Sequence, residues 1–174
     1  MATWPGMMWS ANFDIYLSLN GCGRILESPI IDCEGAAMLI GGCLCGGVRY
    51  QYDGEIEEIS LCHCSMCRKA QGSAYAAVGP IARSRFRITA GESLLKAYRS
   101  APGKQRVFCS HCGSPIFSAR DDLPEVIRLR LGSVDSPIAC RNAYHAFVDS
   151  KADWERICDD LPQYPGRKPV DGQR

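Results

Sequence analysis

The sequence predicts a mainly β protein, and three observations lead there. Short β-rich runs recur from VRYQY (48–52) to YHAFV (144–148), and Gly, Pro, Ser and Asp punctuate them. VIRLRL (126–131) alternates aliphatic residues with Arg at the two-residue period of a strand. Only one stretch, near the C-terminus, has helical spacing.

Along the chain, residues 1–37 come first and show no sustained periodicity. They carry Arg24 against Asp14, Glu27, Asp32 and Glu34, which fits neither an Arg-rich presequence nor a secretory signal with its basic and apolar segments. The expectation is a loosely attached N-terminal extension, 1–37, with Met38 read as the natural start. From Met38, MLIGGCLCGGVRY runs directly into the patterned region. After VRYQY, strands are expected at SAYAAVG (73–79), FRIT (86–89), LLKAYR (94–99), QRVFC (105–109) and PIFSA (115–119). VIRLRLGSV (126–134) and YHAFV follow them. The alternation in VIRLRL places Arg128 and Arg130 on one face and the aliphatics on the other, the pattern of a half-buried antiparallel strand. Ser150 and Asp153 then read as a capping box. Trp154, Ile157, Cys158 and Leu161 fall at helical spacing, so a short helix is expected to close the domain with Trp154 in its core. The tail LPQYPGRKPVDGQR, interrupted by Pro162, Pro165 and Pro169, is expected to lie extended over the surface.

Composition narrows the function classes. The 174 residues suffice for one domain with its own core, and 46% hydrophobic with 22% charged residues is ordinary for a soluble chain. Twenty basic against nineteen acidic residues leave a net charge of +1, so nothing suggests a nucleic-acid surface or an acidic tail. No apolar run approaches the roughly 18 residues of a membrane span. Eleven cysteines are the outlier, and the number is odd. Without a secretory signal a reducing, cytoplasmic setting is expected, where CxC and CxxC groups hold metals more often than disulfides.

Seven cysteines fall into three groups: Cys43 and Cys45 in CLC; Cys62, Cys64 and Cys67 in CHCSMC; Cys109 and Cys112 in CSHC. Thiolates so spaced can reach one centre about 2.3 Å away. Joining Cys45 to Cys109 costs roughly 4 kcal/mol of closure entropy, and a structural zinc supplies about 10 to 16 kcal/mol, so distant pairs can share an ion. Spacing does not settle the partition, because Cys64, Cys67, Cys109 and Cys112 would also make a four-thiolate ribbon. His63 and His111 lie between cysteines and read as hydrogen-bonding neighbours of a metal site rather than ligands. Gly46, Gly47 and Gly113 follow cysteines in turns that favour positive φ. Cys22, Cys33, Cys140 and Cys158 belong to no motif and read as free or buried thiols.

GGCLCGGVRY, CHCSMCRKAQGS, FCSHCGSPIF and HAFVDSKADW, in this order over residues 38 to 164, resemble the successive motifs of the glutathione-dependent formaldehyde-activating enzyme family, to which centromere protein V is also similar. The resemblance implies coiled antiparallel β-sheets of the Mss-four-like zinc fold with one or two short helices, and makes 38–174 a zinc-binding β domain. It implies two zinc ions per chain. Cys43, Cys45, Cys109 and Cys112 would hold the structural one, and Cys62, Cys64 and Cys67 a catalytic one with an open position. Ala146 and Asp153 depart from the family pattern, where Ile and Pro are more usual.

Three thiolates around Zn²⁺ leave a place for an external thiol, which coordination deprotonates. The implied activity is that of a carbon–sulfur lyase or synthase that takes glutathione, or another small thiol, and an aldehyde such as formaldehyde to S-hydroxymethylglutathione. Arg68, Lys69 and Lys151 are the cations nearest by sequence for the carboxylates of glutathione, and His145 could line the pocket or carry a proton. Competing readings are a non-catalytic zinc module for a protein or chromatin partner, a glutathione carrier, and an iron–sulfur electron carrier. A homo-oligomer is compatible with each.

Overall fold

The computed structural model describes residues 38–140 and 142–169; the expected extension over 1–37, with Cys22 and Cys33, lies outside the described residues. Eleven strands and one α-helix are found there. All eight strands expected from composition form, as β2 (Arg49–Asp53), β4 (Ala76–Ala82), β5 (Phe86–Ala90), β6 (Leu95–Ala101), β7 (Lys104–Cys109), β8 (Pro115–Arg120), β9 (Leu123–Arg130) and β10 (Ala143–Ala146). Three further strands carry too little β-rich sequence to stand out: β1 (Met38–Gly42), β3 (Ile59–Cys62) and the two-residue β11 (Gln163–Tyr164).

A three-stranded sheet has the order β1-β2-β5, and an eight-stranded sheet the order β11-β10-β3-β4-β9-β8-β7-β6. Pairing is antiparallel except around β10, which runs parallel to both β3 and β11. The sheets meet where Gly41 bridges Val134, the amide of Ile40 donates to Ser136 Oγ (2.9 Å), and the Tyr50 hydroxyl donates to the Ser133 carbonyl (2.7 Å). Their shared core includes Val48, Tyr50, Ile116, Ile127 and Leu129, each at most 1% exposed. Removing such side chains from water is the main stabilising term, at about 1.5–3 kcal/mol for each large aliphatic.

Strand β9 obeys the expected alternation but not the expected half-burial. Ile127 and Leu129 enter the core, while Arg130 on the opposite face is only 3% exposed. That face is covered rather than solvated, and it forms part of a cavity wall.

The helix is in a different place from the one expected. Residues 151–162 form turns and irregular chain, and Trp154 is 69% exposed instead of packed in the core. Local hydrogen bonds compete with a helix there. Asp153 Oδ1 accepts from the Trp154 amide (2.9 Å), Lys151 Nζ donates to the Glu155 carbonyl (2.8 Å), and Asp159 Oδ1 accepts from the Leu161 amide (3.0 Å). The α-helix observed is α1 (Ser65–Gln71), inside the cysteine-rich motif. None of its residues is buried, so it leaves no apolar period to read. Gly72 ends it in the left-handed conformation (φ 68°), its amide returning to the Arg68 carbonyl at 2.7 Å.

Candidate metal centres and a basic cavity

Two turns build the first cysteine group. Cys43 and Cys45 lie in the β1–β2 connection, Cys109 ends β7 and Cys112 lies in the tight β7–β8 turn, and their four Sγ atoms lie within 4.8 Å of one another. Gly46 (φ 75°) and Gly113 (φ 77°) take the left-handed conformation that these turns require. Gly47 does not; what restricts it is the Leu94 side chain, 2.8 Å from where a Cβ would stand. The Val48 amide donates to Cys43 Sγ (3.1 Å), and the Leu44 amide binds Ser114 Oγ (2.9 Å). Ser114 also lies against Cys112 and, through its hydroxyl and its amide, pulls that thiol down to about 5.

The second group is more local. Cys62 ends β3, Cys64 is the extended N-cap residue of α1, and Cys67 lies in its first turn, its amide bonded to the Cys64 carbonyl (2.9 Å). The chain reversal at Cys64 turns the three Sγ atoms to one side, within 4.8 Å of each other. Among the described residues this group stops at three. Thus Cys64 and Cys67 lie with Cys62 and not with Cys109 and Cys112, the alternative that spacing left open. The sulfurs of Cys62 and Cys64 push the Cys67 thiol far below its ordinary range, and the guanidinium groups of Arg106 and Arg130 lower it further. Cys62 is pushed up by its neighbours Cys64 and Cys67.

Both groups fit a tetrahedral ion. With about 2.3 Å from zinc to sulfur, the edge of the tetrahedron is about 3.8 Å. Cys43 and Cys45 are 3.3 Å apart, Cys45 and Cys109 3.9 Å, and Cys62 and Cys64 3.6 Å. Soft, neutral-to-anionic sulfur donors at these spacings suit zinc. The chain can therefore hold metal at either group.

Cys62, Cys64 and Cys67 line a cavity of about 640 Å³. Its wall is one face of the eight-stranded sheet. Arg106, Ser118 and Arg128 are cross-strand neighbours on β7, β8 and β9, and Arg130 lies opposite Val78 on β4. Arg106 Nη2 is 3.9 Å from Cys67 Sγ. Nη1 of Arg106, Arg128 and Arg130 and Nε of Arg130 are buried without a hydrogen-bond partner. Such orphaned cationic donors are expensive unless a ligand satisfies them. Lys104, with Arg128 and Arg106 beside it, is pushed by burial and by those like charges down to about 8.

The cations expected from sequence proximity lie elsewhere. Arg68 Nε donates to the His63 carbonyl (3.1 Å) and Arg68 Nη2 to the Ser150 carbonyl (3.2 Å), so this side chain ties the cysteine motif to the 148–150 turn. Lys69 is exposed, and Lys151 is spent on the Glu155 carbonyl. His145 is 2% exposed and sits behind the cysteine triplet: Nδ1 is 2.8 Å from His63 Nε2, and Nε2 is 3.0 Å from Asp159 Oδ1. None of these four residues lines the cavity. His63 is fully buried, with Nε2 bonded to His145 and Nδ1 without a partner, while His111 lies in the β7–β8 turn. Cys140 is half-buried and Cys158 exposed.

The wall residues Lys104, Arg106, Arg167 and Lys168 have no motif to mark them. Lys104 and Arg106 repeat the two-residue cation spacing of Arg128 and Arg130, which was a visible signal. That β8 alone separates the two strands was not.

A family model described as glutathione-dependent formaldehyde-activating enzyme matches residues 38–150. A Halomonas elongata protein, provisionally named a glutathione-dependent formaldehyde-activating enzyme, is 27% identical over 128 residues, 69% of this chain and 81% of its own length. An Aspergillus flavus protein of the same name is 25% identical over 146 residues, 79% of this chain and 68% of its own. A crystal structure of a Rhodobacter sphaeroides protein superposes with a TM-score of 0.50 at 23% identity, over 57% of this chain and 91% of that one, and so shares the fold.

Proposed function

The chain belongs to the glutathione-dependent formaldehyde-activating enzyme family, and on that premise we propose that it is a carbon–sulfur lyase or synthase joining glutathione to formaldehyde at a zinc site formed by Cys62, Cys64 and Cys67. The observation that carries this reading is a set of three sulfurs, not four, facing a cavity of about 640 Å³, within the range of cavities that enclose small ligands. Zinc bound there supplies an open position at which a thiol is held in its deprotonated, nucleophilic form.

The protein's own residues do the rest. Arg106 and Arg130 stand beside Cys67 and offset the negative charge that thiolates bring to a half-dry site. Val78, Pro80 and Phe147 give the cavity apolar wall, against which a small carbonyl compound can sit with little competing water. The thiol sulfur forms a bond to the carbonyl carbon as the C=O π bond breaks. The proton released at sulfur is matched by one gained at oxygen, so the product is S-hydroxymethylglutathione, and the reverse reaction releases the aldehyde. Cys43, Cys45, Cys109 and Cys112 are assigned a second, structural zinc that clamps the β1–β2 connection to the β7–β8 turn. On this reading 38–174 is one zinc-binding β domain with coiled sheets of the Mss-four-like kind, working in the cytoplasm.

Metal analysis combined with calorimetric titration of glutathione tests this. Two zinc ions per chain and saturable thiol binding are expected, with binding abolished and the fold kept in Cys64→Ser. One zinc ion per chain, or a wild-type protein indifferent to glutathione, would overturn it.

A further inference from the structure

The family match ends at residue 150, yet the chain beyond it helps to enclose the cavity. Residues 159–168 run back along β10 as a strap. Asp159 binds His145 Nε2 (3.0 Å), the His145 amide donates to the Pro162 carbonyl (2.8 Å), and β11 pairs in parallel with β10. The Phe147 amide then donates to the Gly166 carbonyl (2.8 Å), and Tyr164 packs edge-on against Tyr144 (centroids 5.6 Å). Lys168 Nζ is 2.5 Å from Glu58 Oε2 and 4.7 Å from the centre of the Tyr144 ring. Phe147, on the cavity wall, is left-handed with φ 59°. A bulky residue holds that conformation only where its surroundings impose it, and the bond to Gly166 is one such restraint.

The strap brings Arg167 to the cavity wall, which Lys104, Arg120, Asp121, Asp122 and Arg128 also line. Lys104 and Arg120 are cross-strand partners on β7 and β8. The charges of Arg120 and Arg167 both bear on Arg128, whose Nη1 is buried without a partner. Arg120 is paired with Asp122; Lys168 is engaged with Glu58. Asp122 also bears on Arg167 and Arg128, and Arg167 itself is exposed. What is left, Lys104 and Arg128 in partly desolvated space with the exposed Arg167 beside them, is a set in which like charges outnumber that one carboxylate. That is unfavourable for the empty protein and favourable once an anion enters.

We propose that Arg167 of the strap, together with Arg128 and Lys104, forms a carboxylate receptor on the cavity wall that also carries Arg106 and Arg130, the cations beside the cysteine triplet. The receptor selects thiols that carry a carboxylate several bonds from the sulfur. It rests on the thiol-binding reading given above and adds to it a determinant of which thiol is accepted. The triplet grips any small thiol; the strap tells a peptidic, anionic one from a neutral one.

Isothermal titration of the zinc-loaded full chain with glutathione, with glutathione whose carboxylates are esterified, and with 2-mercaptoethanol separates the steps. A charge-assisted hydrogen bond contributes about 1.5–3 kcal/mol, which is roughly a tenfold to hundredfold change in affinity. Wild-type protein is expected to bind glutathione at least about tenfold more tightly than its ester. Arg167→Gln should remove most of that difference while leaving the affinity for 2-mercaptoethanol, the zinc content and the melting temperature unchanged, and Arg167→Lys should keep part of it. Equal affinity of wild type for glutathione and its ester, or undiminished glutathione binding in Arg167→Gln, overturns the receptor while the thiol site stands. Failure of the wild type to bind any of the three ligands overturns the thiol site itself, and the receptor with it.

Discussion

Replacing Cys112 by Ser and Cys64 by Ser perturbs the two candidate metal sites in chemically matched ways, because both residues are half-buried and both exchanges swap one sulfur for one oxygen. The consequences differ through topology. The four-cysteine group joins segments separated by 64 positions between Cys45 and Cys109, whereas the triplet spans only Cys62 to Cys67. With a closure cost growing as (3/2)RT ln n, holding the first loop shut is worth ~3.7 kcal/mol and the second ~1.4 kcal/mol, a difference of about 2 kcal/mol. For a chain of this size 1 kcal/mol moves the melting temperature by roughly 2–4 °C, so Cys112→Ser should melt at least ~5 °C below Cys64→Ser. The gap widens if the clamp between the β1–β2 connection and the β7–β8 turn loosens the core around Val48 and Ile116. The assay is thermal unfolding by circular dichroism with zinc content measured on the same samples, one ion remaining in each variant. Equal losses, or a larger loss in Cys64→Ser, would refute the assignment of a structural role to one group and a ligand-binding role to the other.

Three other outcomes are expected. Gly113→Ala puts a Cβ into open space but at φ 77°, so its cost is backbone alone, about 1–2 kcal/mol. It should lower the melting temperature by several degrees, and Gly113→Asn should lower it less. Trp154→Ala should change stability by no more than about 0.5 kcal/mol in denaturant titration, since the ring is 69% exposed; a loss of several kcal/mol would restore the core-facing helix. Lys104 sits at about 8, with Arg106 on its own strand, Arg120 opposite on β8, Arg128 and Arg130 on β9 and Cys67 on α1 around it. A bound carboxylate favours the protonated lysine, so near pH 8 Lys104 should take up part of the proton that the thiol releases on binding, and its contribution to glutathione affinity should weaken as pH rises through that value. Calorimetry in two buffers of different ionisation enthalpy reads this as a difference between wild type and Lys104→Arg, and no difference would remove Lys104 from the anion site.

The family, the β class and the membership of the cysteine groups are local in origin, and so legible in the chain. VRYQY, QRVFC and VIRLRL carry their strand character in their own side chains, and each cysteine motif brings its sulfurs together by a turn of a few residues. The pairing of CLC with CSHC became clear only through the resemblance to a known family, because nothing in the spacing opposed a ribbon of Cys64, Cys67, Cys109 and Cys112. Local reasoning misplaced the helix for an identifiable cause. Residues 150–161 have helical spacing, but their polar groups bond to nearby backbone and to His145, while α1 folds with no buried face to advertise it.

The basic cavity belongs wholly to tertiary structure. Arg128 and Arg130 were visible as one face of a strand, but a strand does not reveal what covers its polar face, and here it is a wall shared with Lys104 and Arg106 across β8. Arg167 reaches the same wall by a parallel pairing of β11 with β10. Charge proximity in sequence therefore picked Arg68, Lys69 and Lys151, while sheet register picked others. A cysteine motif closes within a turn and can be read along the chain, whereas a ligand cavity is made of residues whose only relation is that the fold sets them side by side.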